Sequence, residues 1–414
     1  MSRYYDDDYD RRQSRSGSRG SGHSTSGSGR ERRERDGYDE RRPSQRTDAE
    51  RRKAAARRRE AERIKRQKKQ RKIILLVVEV CILLALVGAF WFFRTTTKMQ
   101  KIDINEEDIV INEAVSENES LQGYRNIALF GVDARDKSLG KGNRTDTIII
   151  CSINEATGDI KLCSVYRDTY LNLGNDSYNK CNAAYAKGGP EQAINMLNMN
   201  LDLNITDYVT VGFTGLIDTI DDLGGIYVDV TEAEIPHLNN YQISMVGTTT
   251  DKEHFYADEG TDYIAVKEPG RQKLNGLQAT AYCRIRYVGD DFQRTERQRT
   301  VLQEIMNVAK ESSPSKLNSV LQDVLPNVST SLDVDEMTEM LTNVAKYNVV
   351  ADDGFPFESN RATGKVGSKG SCVIPNNLEQ NVVLLQEFLF DNTSYTPSAQ
   401  VTSYSEKVSA DTGY

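Results

Sequence analysis

Apolar and polar positions along this chain fall into three regimes. The first 72 residues hold no sustained apolar run; Ile73 to Phe93, IILLVVEVCILLALVGAFWFF, is apolar throughout apart from Glu79; and from about Gly123 onward short apolar runs alternate with amphipathic stretches. At about 1.5 Å of helical rise per residue, the middle regime is long enough to cross a hydrocarbon core of about 30 Å. The third regime predicts strands at 126–131, 146–153 and 160–166, helices near 179–187 and 190–200, strand 207–213, helix 214–223 and strand 225–230. After an irregular stretch to about 272 come a short helix at 276–281, strand 282–287, a long helix 291–311, and helices near 315–325, 333–347 and 377–390. Strands alternating with helices predict an α/β/α sandwich, a central mixed sheet covered on both faces. Residues 123–391 are enough for one substantial core. The polar, acidic segment 94–122 reads as a stalk, and the Ser- and Thr-rich residues 392–414 as a flexible tail.

Charge divides the chain at the apolar run. The formal net charge of -8 averages two opposite parts: residues 1–72 carry 25 Lys and Arg against 13 Asp and Glu, and the remaining 342 residues carry 28 against 48. Ser14 to Arg35 is Ser, Gly and Arg with almost nothing to bury, which predicts disorder. Asp48 to Lys72 is rich in Ala, Arg, Lys and Glu, which predicts a basic helix. Basic residues crowd the N-terminal flank of Ile73–Phe93, so the N-terminus is expected in the cytoplasm and everything after Arg94 outside. The run starts too late for a signal peptide and ends in the interfacial aromatics Phe90, Trp91, Phe92 and Phe93, so it reads as an uncleaved anchor in the lipid bilayer. Glu79 sits near the cytoplasmic end, where water or Lys72 relieves its charge, unless it is a functional intramembrane carboxylate. Beyond Cys81 the cysteines are Cys151, Cys163, Cys181, Cys283 and Cys372, at no metal-ligand spacing. Cys151 and Cys163 flank a turn and fit either a disulfide or two buried thiols, the second being the simpler reading.

Three apolar strands each end in Arg and Asp. Asp133 and Arg135 follow the first, Arg144 and Asp146 open the second, and Arg167 and Asp168 close the third. Any one cluster alone reads more simply as a turn with a solvated charge. Chain reversal, however, would bring all three to one end of the sheet, where open α/β sheets place ligands. Arginine forks match phosphate oxygens and carboxylates suit a hard divalent cation, so the set predicts a di- or polyphosphate site with Mg2+ or Mn2+. A second cluster, YCRIRYVGDDFQRTERQR over 282–299, puts Arg284 and Arg286 on one strand face. If Asp290 or Asp291 caps the next helix, Arg294, Arg297 and Gln298 share a helical face, either toward the same cavity or toward solvent with Glu296 and Glu304 as partners.

At these residues the chain resembles the LytR-CpsA-Psr family of cell-wall glycopolymer ligases. NIALFGVDAR, GNRTDTIII, SVYRDTYL, NKCNAAYAKGG, DYVTVGFTGLIDTIDDLGGIYVDV, LNGLQATAYCRIR and DDFQRTERQR match its landmarks in order, over roughly Gly123 to Asp391. The resemblance implies transfer of a teichoic acid, capsular or related polysaccharide from a polyprenyl-diphosphate carrier to peptidoglycan. The link is a phosphodiester, typically to the C6 hydroxyl of N-acetylmuramic acid, and polyprenyl phosphate is released. Carried over, Asp133 and Asp146 would hold Mg2+ on the diphosphate, Arg135, Arg144, Arg167, Arg284 and Arg286 would neutralise its oxygens, and Asp168 would orient Arg167. The family's Asp-x-x-Arg and Arg-Gln elements fall on Asp291, Arg294, Arg297 and Gln298. Tyr166 stands where the family commonly has Pro, and Tyr287 where a His often follows the second arginine; neither change removes a charge. His23, His237 and His254 all lie outside the motifs, leaving Asp133 or a metal-organised hydroxyl to serve as base.

A polyprenyl chain needs shelter from water. Phe213, Leu216, Ile217 and Ile220 recur at helical spacing beside Gly215 and Gly224, either lining such a groove or forming ordinary core. Two other functions use the same residues: a polyprenyl-diphosphate pyrophosphatase, with water as acceptor, and a lipid-binding regulator of envelope genes. Residues 1–72 show no DNA-binding fold, so no nucleic-acid partner is expected.

Overall fold

The computed structural model describes residues 102, 104–134, 138–249 and 254–414, together with helical positions between 52 and 69. The chain divides into two units, Met1–Val80 and Cys81–Tyr414. In the first, the described positions of 52–69 (α1) are helical and exposed, inside the basic helix predicted over 48–72. The candidate span Ile73–Phe93, Glu79 and the Ser14–Arg35 segment lie outside the described residues. No described helix is long and apolar enough to cross a membrane.

The second unit begins with α2 (Glu113–Ser116), β1 (Tyr124–Val132), β2 (Thr145–Asn154), β3 (Asp159–Val165), the hairpin β4 (Tyr170–Asn172) and β5 (Tyr178–Lys180), and α3 (Asn182–Leu201). Next come β6 (Asp207–Gly212), α4 (Phe213–Leu223), β7 (Ile226–Val230), α5 (Ile235–Val246), β8 (Thr248–Thr249), β9 (Phe255–Tyr256), β10 (Gly270–Leu274), α6 (Gly276–Tyr282) and α7 (Asp291–Glu311). The rest is α8 (Pro314–Val324), β11 (Val328–Thr330), α9 (Val334–Thr342), β12 (Asn348–Phe355), β13 (Arg361–Lys365), β14 (Ser371–Pro375), α10 (Leu378–Phe390) and α11 (Ala399–Thr412).

Six strands form one sheet in the order β11-β6-β1-β2-β3-β12. It is mixed: β1 runs parallel to β6 and β12 parallel to β3, whereas β1–β2, β2–β3 and β11–β6 are antiparallel. Side chains alternate across it as a pleat requires. Ala128, Phe130, Ile148, Ile150, Cys163 and Val165 pack with α3, α10 and α11, while Ile127, Ile149, Cys151, Ile153 and Leu162 pack with Leu302 and Met306 of α7. Cys151 and Cys163 therefore lie on opposite faces, with Cys151 opposite Leu162 and Cys163 opposite Ile150, and both are free buried thiols. Burial pushes the Cys151 thiol up to about 12 and the Cys163 thiol well above its usual range. A third cluster joins α4, β7, α5, β10, α6 and α7 around Ile220, Ile226, Leu238, Ala281 and Ile285.

Several expectations are corrected. The predicted strand 282–287 is the end of α6 and the turn after it: Asn275 caps α6 through a reciprocal pair with Gln278, and the helix runs through Tyr282. The two helices predicted near 179–187 and 190–200 form one kinked helix, α3, broken at Gly189 with φ 74°, just before Pro190. The stretch to 272 contains α5, and the helix predicted to 347 stops at Thr342, before strand β12.

The described part of the stalk, from residue 104 on, and the tail belong to the folded unit. Val115 and Leu121, and Val401 and Tyr404 of α11, are buried in the same core cluster as β1. One fully buried carboxylate ties them together. Asp202, the left-handed C-cap of α3, accepts from Asn112 Nδ2 at 2.6 Å, from Ser398 N at 2.8 Å and from Ser398 Oγ at 2.7 Å, and Ser398 in turn caps α11. Replacing Asp202 with Ala strands these donors, so a loss of about 3 kcal/mol is expected together with release of α11. Limited proteolysis should then cleave ahead of residue 398 at least tenfold faster than in wild type; unchanged cleavage would show that the knot does not hold the helix.

Candidate functional site

Antiparallel pairing returns the three strand ends to one place. Val132 pairs with Thr145, so Asp133 leaves β1 where Asp146 enters β2; Ser164 pairs with Ile149, so Arg167 leaves β3 at the same edge. There Arg167 Nη1 donates to Asp146 Oδ1 at 2.6 Å, and Arg167 Nε lies 3.5 Å from Asp291 Oδ2. Arg286 Nη2 lies 3.4 Å from Asp146 Oδ2, Arg294 Nη1 lies 3.3 Å from Asp291 Oδ1, and Arg294 Nη2 donates to the Asp146 carbonyl at 2.8 Å. Three guanidiniums thus meet two carboxylates, an excess of positive charge at the end of the sheet.

α7 sets this geometry. Asp290 caps it through Phe292 N and Gln293 N, and Gln293 returns a bond to the Asp290 backbone, a capping box that starts the helix at Asp291. That start aims Arg294 at the sheet, where its side chain is 2% exposed. Burial pulls the Arg294 guanidinium below the usual arginine range, against the opposing pull of Asp291. Its Nε has no acceptor among the described residues. Burial also opposes the charge on Asp146, but Arg167, Arg294 and Arg286 outweigh it and hold the carboxyl below the usual carboxylate range.

A cavity of ≈ 380 Å³ opens from these charges between the sheet and the α4–α7 layer. Asp133, Asp146, Arg284, Arg286 and Arg294 line it together with Leu129, Ile149, Val209, Leu216, Leu302 and Ile305, so the charged groups gather at strand and helix ends and most of the remaining wall is apolar, with Thr147, Thr280 and Gln298 as neutral polar exceptions. Arg284 stands between the two regions, its guanidinium 4.6 Å from the Phe213 ring and 5.4 Å from the Tyr241 ring. Gly276 lets α6 approach α4, since a Cβ there would run into the Ile217 carbonyl.

The predicted residues do not all converge. Arg135 lies outside the described residues, and Arg144 is exposed just before β2, outside the cavity lining. Asp168 pairs with Lys180 at 3.1 Å, and Arg167 is oriented by Asp146 and Asp291 instead. Arg297 turns away from the cavity: Nε donates to buried Glu234 at 2.6 Å, and the rest of the fork reaches the carbonyls of Ile285 and Val288 at 3.3 and 2.7 Å. It braces the turn that presents Arg284 and Arg286. Gln298 lines the cavity and reaches the Cys283 carbonyl at 3.4 Å. Of the stripe on α4, Phe213 and Leu216 line the cavity, whereas Ile220 is core and Ile217 backs onto Gly276. Residues not foreseen include Tyr241, on the helix read as irregular, and Val301, Leu302 and Ile305 on α7; their i, i+1, i+4 spacing was the available signal.

The LytR_cpsA_psr family model matches residues 87–378. The chain is 33% identical over 244 residues to the polyisoprenyl-teichoic acid--peptidoglycan teichoic acid transferase TagU of Oceanobacillus iheyensis, an alignment that covers 57% of this chain and 66% of that protein, just under two thirds of its length. It is 28% identical over 314 residues to biofilm regulatory protein A of Streptococcus mutans, covering 67% of this chain and 72% of that one. Among solved structures, a transcriptional regulator of Enterococcus faecalis aligns with a TM-score of 0.51 at 26% identity, covering 71% of this chain and 95% of that chain. A Streptococcus agalactiae protein aligns with a TM-score of 0.53 at 24% identity, covering 70% and 95%, and shares the mixed α/β fold.

The lowered Asp146 value has a sign that can be measured. A carboxyl whose value falls on folding contributes stability that is fully present above the unfolded value of about 4 and is lost as pH drops through the lower folded value. Asp146→Asn is therefore expected to destabilise the domain at pH 7, with the gap to wild type closing as pH falls below about 4. A gap that stays constant into acid, in urea titrations across pH, would show that the carboxylate gains nothing from its arginines.

Proposed function

The chain belongs to the LytR_cpsA_psr family, and from that premise we propose that it transfers a glycopolymer from a polyprenyl-diphosphate carrier to peptidoglycan through a phosphodiester bond. One observation carries the reading: a single cavity has apolar walls and a mouth of arginines, one of which keeps a buried N–H without an acceptor. Such a site suits an amphiphile with an anionic head.

In this reaction an acceptor hydroxyl of peptidoglycan attacks the phosphorus nearest the polymer, and polyprenyl phosphate leaves. Catalysis of such a transfer rests mainly on alignment and charge neutralisation. Arg284, Arg286 and Arg294 line the mouth and would hold the diphosphate oxygens, with Arg167 behind them on Asp146. Asp133 also lines the mouth and would accept the hydroxyl proton. The apolar wall from Leu129 to Ile305 would take the first isoprene units. The same reading makes Ile73–Phe93 a single membrane anchor with its N-terminus in the cytoplasm, which holds the domain near its lipid substrate.

A divalent cation fits as part of the substrate complex. No group of three or more His, Cys, Asp or Glu side chains could hold a metal among the described residues, but Asp133 and Asp146 share the cavity mouth. Mg2+ is commonly held by one or two carboxylates with phosphate oxygens and water completing the shell. It would supply further positive charge to the diphosphate; Asp146 would then give up its long contact to Arg286.

Arg284→Ala is expected to lower transfer roughly 30- to 1000-fold, about 2–4 kcal/mol of transition-state stabilisation, with the fold retained. Near wild-type transfer in a folded variant would remove the arginine from its assigned role. Polyprenyl phosphate released without polymer joined to peptidoglycan would instead identify a pyrophosphatase.

EDTA should abolish transfer, and Mg2+ or Mn2+ should restore it. Full activity in chelator would exclude the cation.

A further inference from the structure

The two residues beside the ion network in sequence, Tyr166 before Arg167 and Phe292 after Asp291, meet each other. Their rings are 4.6 Å apart at 74°, edge to face. A third group closes on both. Arg361, on β13, places its guanidinium 3.7 Å from the Phe292 centroid and 5.3 Å from that of Tyr166, and its Nη1 donates to Tyr166 Oη at 2.8 Å. Its side chain is 17% exposed, and its carboxylate neighbour Glu358, at 4.0 Å, is 91% exposed, so the rings and the phenol are its closest partners.

Room for this arrangement is built into the strand beside it. A Cβ on Gly354 of β12 would overlap the Tyr166 hydroxyl and ring. The backbone is held too, since Tyr166 N donates to the Phe355 carbonyl at 3.0 Å. Burial pushes the Tyr166 phenol up to about 12, so it remains a neutral acceptor for Arg361 at neutral pH.

We propose that Arg361 is a positioning residue for the anion site, clamping Tyr166 against Phe292 and thereby fixing their neighbours Arg167 and Asp291 in the network that faces the diphosphate. The proposal rests on the transfer reaction above for its kinetic consequence, though not for its structural one. Arg167 hangs from the end of β3 and Asp291 from the start of α7. Arg299 Nη1 donating to Ser164 Oγ at 3.0 Å and Arg294 Nη2 to the Asp146 carbonyl at 2.8 Å also tie α7 to the sheet, but the stack is the tie that touches the immediate neighbours of both residues. The stack bridges them with two aromatic rings of few rotamers and the planar guanidinium of Arg361. Lysine does not replace it, because an ammonium offers neither the flat face for Phe292 nor the same fork toward Tyr166.

The test uses the full-length chain in lipid nanodiscs and two readouts. The first is the side-chain Nε–H resonance of Arg167, identified by its loss in Arg167→Lys; the second is steady-state transfer. In Arg361→Met and Arg361→Lys the Arg167 signal is expected to move toward the position of a free guanidinium. With it, kcat should fall roughly 10- to 100-fold while KM for the lipid substrate stays within about twofold, as for a displaced rather than a missing contact. Tyr166→Phe, which deletes only the hydroxyl, should shift the resonance in the same direction by less and guards against a variant that fails to fold. An unchanged Arg167 signal and unchanged kcat per folded molecule, accompanied only by a lower Tm, would overturn the proposal and leave Arg361 as packing. If wild type itself shows no transfer, the proposed reaction falls, and the Arg167 resonance still decides the clamp.

Discussion

Burying an arginine is costly unless its charge and its N–H groups are met, and Arg294 is the buried arginine on which this domain's site is arranged. Its partners are the backbone carbonyl of Asp146 and the carboxylate of Asp291 one turn earlier on the same helix. Those contacts fix the first turn of α7 against the first residues of β2, so the gap between helix and sheet is set at that point. Further along the same helix, Val301, Leu302 and Ile305 face the cavity with Leu129 and Ile149 of the sheet. A single helix therefore contributes Arg294 to the charged mouth at its N-terminal end and part of the apolar wall beyond it. The polarity of the cavity follows from where the helix was capped.

Charge at the mouth is divided between structure and ligand. Asp146 and Asp291 neutralise much of Arg167 and Arg294, and Arg297 is spent wholly inside the protein on Glu234 and two carbonyls. Arg284 is held against the aromatic faces of Phe213 and Tyr241, which attract a cation through the ring quadrupole. Guanidiniums outnumber carboxylates at the mouth, which leaves net positive charge for an anion, and the buried Nε atoms of Arg167 and Arg294 both lack a hydrogen-bond acceptor among the described residues. A fully paired network would be more stable and would bind less.

Much of this was legible in the sequence because strand ends are. Apolar runs end where Arg and Asp begin, and antiparallel pairing does the rest; Asp133, Asp146 and Arg167 follow from that alone. α7 was also legible, since Asp290 and Gln293 spell a capping box and the helix starts at the predicted residue. The Arg-x-Arg segment misled because Arg284, Ile285 and Arg286 alternate like a strand, yet Ile285 is buried in a turn and the arginines are presented by Arg297 bonding from another helix. β12 was hidden by Asp352 and Asp353, residues disfavoured in strands, and Asp352 is there to pair with Arg299 of α7. α11 was hidden by composition. Its buried positions Val401, Tyr404, Ser405 and Val408 do keep the i, i+3, i+4, i+7 period, but one of the four is a serine.

The position before Arg167 shows how a local sequence departure can be absorbed by distant parts of the chain. A proline there would fix the backbone φ by its ring and would leave no N–H. Tyr166 instead donates its N–H to Phe355, extending the pairing of β3 with β12 by one bond past Val165. The larger side chain then needs space and a partner, and both come from beyond residue 350: Gly354 leaves out the Cβ that would collide, and Arg361 answers the hydroxyl. Packing does here what a proline ring would do by covalent constraint. Such packing holds the strand end only while three separate segments remain folded together, so the precision of the anion site is here tied to the stability of the C-terminal third of the domain.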